Sequence, residues 1–220
     1  MGVVAVFFLF EEFKLIQGEI KNGMNGCLSY ILAKFVLTLP IITIVFSLSA
    51  LAIPMFVIQS FDASLFLPFF GQWSLIIYLF ESLAECLAVW SPNAIVGMLA
   101  YLTYWIVAFL FGGIFLPPDF IYWPLKAFYY AMPFNYYTRS FVNLFFNHKE
   151  YEPCDPATNL SSQICVESGD GEDIVSALEL VFPVVANPNT MRDMLCLFAA
   201  MVLFKILYIA GVFTFTRVRK

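Results

Sequence analysis

Charge is scarce in this chain: 12% of its 220 residues are Asp, Glu, Lys or Arg, and there is one histidine, His148. A soluble domain of this size carries about 25% charged residues, so that class is excluded. One histidine in a polar loop leaves no convergent His, Asp and Glu set for a membrane-embedded hydrolase or metalloenzyme, and neither a catalytic nor a metal site is expected. No Gly-x-x-x-x-Gly-Lys-Ser/Thr phosphate loop occurs, so the residues present cannot cradle a nucleotide and this chain alone should not hydrolyse ATP. Nothing reads as nucleic-acid binding. Internal repeats and paired interrupted helices, the marks of many ion-coupled carriers, are also missing.

What is there is apolar surface. The chain is 61% hydrophobic, with 26 Phe, and its mean hydropathy is +0.84. This composition describes an all-α polytopic membrane protein or a piece of one, because only helices that satisfy their own backbone survive in hydrocarbon. Four segments are long enough to be complete spans: 28–58, 65–90, 94–116 and 194–216. Residues 1–10 are too short to cross and run into Glu11-Glu12-Phe13-Lys14. They lack the basic start and the cleavage site of a signal peptide. They read as the end of a span whose beginning lies outside this sequence, a short N-terminal anchor being the alternative.

The stretch after the third complete span stays apolar and aromatic but is broken by Pro117, Pro118, Pro124 and Pro133. Irregular apolar backbone beside a membrane needs shelter from protein or a cavity, which predicts a re-entrant or interfacial helix. Arg217, Arg219 and Lys220 follow the last span directly, so the C-terminus is expected in the cytoplasm. Counting back puts 11–27 inside as a cytoplasmic loop, 59–64 outside, Ser91-Pro92-Asn93 inside and 117–193 outside, with 217–220 a cytoplasmic tail. The external loop agrees independently. It holds the Asn159-Leu160-Ser161 glycosylation sequon and the pair Cys154 and Cys165, for which an oxidising compartment favours a disulfide. Cys27, Cys86 and Cys196 lie in or near the membrane and read as packing residues.

Ionisable residues at membrane depth are costly and often functional. Glu81 and Glu85 share a helical face at i, i+4. Lys205 lies roughly 18 Å from Arg217 along the last helix, far for snorkelling, so a pairing with Glu81 or another carboxylate would relieve it. Lys34 can reach the cytoplasmic headgroups. Leu102, Ile106 and Phe109 recur at i, i+4 and i+7 on one face.

The order of parts resembles the membrane domain of ABCG-type ATP-binding cassette transporters, the white and pleiotropic drug resistance group with the ABC-2 type fold. Glu12-Phe13-Lys14, Gly18-Glu19 and Ser29 to Lys34 are similar to that family's second span, cytoplasmic loop and third span. Glu81-Ser82-Leu83 with Ser91-Pro92-Asn93 resembles the end of the fourth span and its turn. Gly112 to Pro117 looks like the end of the fifth. Tyr130 to Tyr137 and Asn143-Leu144-Phe145 look like the re-entrant external helix, followed by a cysteine-bearing loop and a sixth span. Two departures bear on subfamily: Leu144 stands where many members have an acid, and Thr38-Leu39-Pro40 replaces an Asp-Leu-Pro-like triplet.

The resemblance implies alternating access driven by ATPase domains in cis or trans, with ATP and Mg bound there and no cofactor on this chain. It implies a second ABCG-type membrane domain as partner, contact with membrane lipid, and a plasma-membrane address. Leu102, Ile106 and Phe109 fall where members contact an apolar or amphipathic substrate, and Ile114 and Phe115 where some have an external plug. Glu12, Lys14 and Glu19 resemble the polar contacts to the coupling helix. Helix packing for the apolar residues and a solvated loop for the charged ones stay open as plainer readings. The alternatives at the level of function are an ion-coupled secondary transporter or channel, with Glu81, Glu85 and Lys205 on an ion path, or a truncated membrane domain that does not transport.

Overall fold

The computed structural model describes residues 2–41, 44–45, 47–49, 63–115, 121–146, 171–186 and 189–216. Every regular element among them is helical: α1 (Gly2–Lys21), α2 (Cys27–Ile41), α3 (Ala63–Trp90), α4 (Ala94–Leu110), α5 (Leu125–Ala131), α6 (Pro133–Phe146), α7 (Gly171–Val181), a short 3-10 turn (Pro183–Val185) and α8 (Thr190–Thr216). The chain divides into two compact units. One comprises Met1–Val107 with Leu197–Lys220, the other Ala108–Cys196.

The first unit is organised around α3. α1 buries Val6, Phe10 and Phe13, spaced i, i+4, i+7 and so on one face. Val6 and Phe10 meet Leu83, Ala84 and Ala88 of α3 together with Ala94 and Tyr101 of α4. Phe13 joins a second cluster with Ile31, Cys86, Val89, Tyr208 and Val212. α3 therefore has partners on two sides. Its contact with α8 is close because Gly211 carries no side chain: a Cβ there would stand 2.7 Å from the Val89 Cγ1 and from the Trp90 Nε1. Beside that approach the Trp90 indole donates to the Leu207 carbonyl at 3.0 Å.

Local chemistry explains where these helices stop and start. α1 ends at Gly23, whose φ of 75° is the left-handed conformation a glycine adopts without strain. Its Gly23 and Met24 amides return to Ile20 and Glu19, closing the C-terminal turn. α4 opens after the Ser91-Pro92-Asn93 turn, where the Asn93 side chain accepts the Val96 N–H at 2.9 Å. Asn189 does the same for α8, accepting the Arg192 N–H at 3.1 Å.

Several boundaries differ from the sequence expectation. The helix of residues 1–10 does not end at Phe10 but continues to Lys21, through most of the expected 11–27 loop. Glu, Lys and Gln are good helix formers, so a charged turn does not end a helix as it ends an apolar run. The 94–116 segment is helical only to Leu110, where Gly112-Gly113 intervenes. In the 28–58 segment the described residues 27–41, 44–45 and 47–49 are helical and the others lie outside the described residues. Among the described residues, two helices are both long and apolar enough to cross a membrane, Phe66–Trp90 and Thr190–Thr216. Cys27–Leu37 and Ala94–Leu110 are apolar but shorter.

The second unit gathers α5, α6, α7 and the 3-10 turn around Tyr129, Val175, Val184 and Val185. Gly113, with φ of 84°, approaches the Val184 side chain so closely that a Cβ would sit 2.5 Å from it. On α6 the rings of Tyr137, Phe141 and Phe145 stack at i, i+4 intervals, 5.5 and 6.0 Å apart. Among the described residues, the region expected to be re-entrant or external holds three helices and a 3-10 turn before α8.

Candidate functional site: a buried charge cluster and an apolar stripe

In the first unit, α3 carries Tyr78, Glu81 and Glu85 toward Lys205 of α8. Lys205 donates to Glu85 Oε2 in a short ion pair, with the two residues only 5% and 1% exposed. Three rings surround the ammonium: Tyr78 at 4.7 Å, Phe35 at 5.2 Å and Tyr208 at 5.8 Å from its Nζ. Such faces attract a cation once water is gone. The expected relief of Lys205 is found, but Glu85 rather than Glu81 supplies it. Glu81 Oε2 and Glu85 Oε1 are buried without hydrogen-bond partners.

A second ion pair lies on the same unit. Lys34 donates to Glu12 at 2.6 Å and Tyr30 approaches the other oxygen of that carboxylate at 3.4 Å. Lys34 is therefore paired within the protein, a contact its expected reach toward the headgroups did not include. Both line a groove of about 400 Å³ between α1 and α2, otherwise bounded by Ile16, Ala33, Leu37 and Ile41. Lys14 stands over the Phe10 ring at 5.3 Å, and Glu19 accepts a hydrogen bond from Asn25 at 2.6 Å. Of the three expected coupling residues, Glu12 meets another helix through its charge, and no such contact of Lys14 or Glu19 is found among the described residues.

Along α4, Leu102, Ile106 and Phe109 are all solvent-exposed in this chain, as are Ile114 and Phe115 beyond its end. Phe109 touches the rings of Phe115 at 5.2 Å and Phe134 at 5.9 Å. The cavity and plug residues expected from the resemblance thus meet at Phe109 and Phe115.

The profile of the ABC-2 type transporter family matches residues 1–146, from α1 through the end of α6. The chain belongs to that family. No curated protein matches the chain. An ABC-2 domain is the membrane component of an ABC-type transporter, so this is an integral membrane protein that works with nucleotide-binding domains. That membership explains how a chain without a phosphate loop belongs to an ATP-driven system.

Sequence reasoning missed one polar contact of this ABC-2 domain. In the second unit Arg139 of α6 binds Asp193 of α8 through two parallel hydrogen bonds, 2.8 Å from Nε to Oδ2 and 2.6 Å from Nη2 to Oδ1. Asp193 is 0% exposed, and Arg192 approaches the same carboxylate at 3.5 Å. Burial alone would lower the Arg139 pKa, but the hydrogen bonds and charge of Asp193 raise it above its ordinary value. The signal was a lone arginine inside an aromatic helix. Cys27, Cys86 and Cys196 are free thiols, and Cys86 is buried in the second core cluster of the first unit. Cys154, Cys165, Asn159 and His148 lie outside the described residues, as do the side chains of Thr38, Leu39 and Pro40.

Proposed function

We propose that the chain is the membrane-spanning part of an ABCG-type transporter whose pathway takes apolar or amphipathic substrates such as a lipid, sterol or xenobiotic. The observation that carries this is the exposed apolar stripe Leu102, Ile106 and Phe109 on α4, continued by Ile114 and Phe115. A face of that kind, on a helix with no charged residue in it, offers a sliding surface to an apolar molecule and nothing to an ion. A second ABCG-type membrane domain, identical or homologous, closes the other side of the pathway. ATP and Mg act at the nucleotide-binding domains. Glu12 and Glu19, with Lys14 beside them, supply polar contacts toward those domains, and the plasma membrane is the site of action. A Cys154 to Cys165 disulfide and a glycan on Asn159 mark the external loop.

The test is transport by the chain with its ATPase partner in proteoliposomes, using several apolar substrates. Phe109→Ala is expected to change the relative rates among substrates while leaving the amount of inserted protein unchanged. Transport should stop on ATP depletion and survive ionophores. Unchanged kinetics across all substrates would remove Phe109 from the pathway. Sensitivity to ionophores with indifference to ATP would instead support an ion-coupled carrier.

A further inference from the structure

Charge does not balance in the buried cluster of the first unit. Two lysines and three carboxylates meet there. Lys34 of α2 is bound to Glu12 of α1, and Lys205 of α8 to Glu85 of α3. Glu81 has no counter-charge of its own. The charged groups that act on it are Glu85 one turn along the same helix, Lys205 and Lys34. The tyrosines whose hydroxyls feel its charge are Tyr78 of α3 and Tyr101 of α4. Both of those lysines are already paired, and Glu81, though only partly buried as a residue, has its Oε2 buried with no hydrogen-bond partner among the described residues. Negative charge on such an atom is costly.

The unpartnered atoms point the same way. Glu81 Oε2, Glu85 Oε1 and Tyr78 Oη are all buried without hydrogen-bond partners. Glu85 is 1% exposed and Tyr78 7%. Two acceptor oxygens at i, i+4 receive no hydrogen bond from any described residue, and a proton on one of them would supply it. Two carboxyl groups that share a site hold one proton between them because both cannot ionise at close range.

We propose that Glu81 and Glu85 form a proton-binding site in which one proton on Glu81 Oε2 completes the charge balance with Lys205. The binding step is simple: a carboxylate takes a proton from water to become a neutral carboxyl, and no other bond changes. Glu81, Glu85 and Lys205 then amount to one neutral acid, one carboxylate and one ammonium, with net charge zero, beside the balanced Lys34–Glu12 pair. The number of neutral carboxyls equals the carboxylates of the pair minus the lysine. That rule makes the site testable, and it holds whether or not the transporter is of ABCG type.

The experiment is infrared difference spectroscopy of the full chain with its ATPase partner in nanodiscs at pH 7, reading the hydrogen–deuterium-sensitive stretch of neutral carboxyl groups. Glu81→Gln is expected to remove the intensity of one group. Glu85→Gln is expected to remove it as well, because Glu81 then ionises and pairs with Lys205. Glu81→Asp should retain it. Wild type and Glu81→Gln giving the same spectrum would overturn the proposal, and so would a band that survives in Glu85→Gln. A band seen only when sodium and potassium are withdrawn would also overturn it, by making an alkali cation the resident. Glu81→Gln is isosteric with the neutral acid, so it decides the matter even where Glu85→Gln fails to fold.

Discussion

Lys205 shows how much one side chain can depend on its surroundings. Breaking a buried ion pair by removing one partner costs about 3–5 kcal/mol, because the other charge is left uncompensated. Lys205→Met should therefore lower thermal stability in detergent sharply, and a Lys205→Met, Glu85→Leu double variant should recover much of the loss, since apolar residues of similar volume replace the pair. A double variant no better than the single one would show that the rings, not the charge, hold the site. Arg139→Ala follows the same reasoning at Asp193, which is wholly buried. Its expected cost is again about 3–5 kcal/mol, read as a lower unfolding temperature. Gly113→Ala combines a φ of 84° with a Val184 contact at 2.5 Å. A destabilisation of about 1–3 kcal/mol is expected from the backbone conformation alone. At this scale the sequence was partly readable. Glu81 and Glu85 occupy one face of one helix, so periodicity revealed a carboxylate for Lys205 but could not choose between them. That choice depends on how α8 lies along α3, which no local pattern encodes.

The helices themselves were legible where apolar runs are long and uninterrupted. α3 and α8 were expected at 65–90 and 194–216 and occupy Ala63–Trp90 and Thr190–Thr216. The ends were harder. Hydropathy ends where charge begins, whereas a helix ends where a cap or a glycine ends it, and α1 runs on through Glu11, Glu12 and Lys14 for that reason. Gly211 was silent in the sequence, because a glycine in an apolar span carries no sign of what it touches. Gly211→Leu should force α8 away from Val89 and Trp90. Overpacking of this kind costs about 1–3 kcal/mol, and the weakened Trp90 to Leu207 hydrogen bond should appear as a shifted tryptophan fluorescence maximum. A native spectrum and unfolding temperature would mean that the two helices slide without loss.

On the scale of the whole molecule, the ABC-2 membership was legible from the order of parts, none of which is specific alone. The match ends at residue 146, and the Cys154, Asn159 and Cys165 expectations fall on residues the structure does not describe. They are open to direct measurement. Glycosidase treatment should increase the electrophoretic mobility of the chain from eukaryotic membranes, and Asn159→Gln should run at the treated position. No shift in either would mean that Asn159 carries no glycan and would remove the sequon as support for an external 117–193. Arg139 and Asp193 escaped notice because their meeting spans 54 positions, a distance at which sequence reading has only composition to work with.

Glu85 and Lys205 are 120 residues apart in the chain, and proteins are made from one end. At about 5–20 residues per second, roughly 6–24 s separate the synthesis of the carboxylate from that of the lysine. Once α3 has cleared the exit tunnel it stands at the translocon with two acids and no Lys205 to meet them. It must wait in a wet or protein-lined site, or enter the lipid with both acids neutral, until α8 emerges. Biogenesis of this membrane domain therefore has a built-in checkpoint. A ribosome stalled before codon 205 should leave α3 extractable from the bilayer, and one stalled after α8 has cleared the exit tunnel should not.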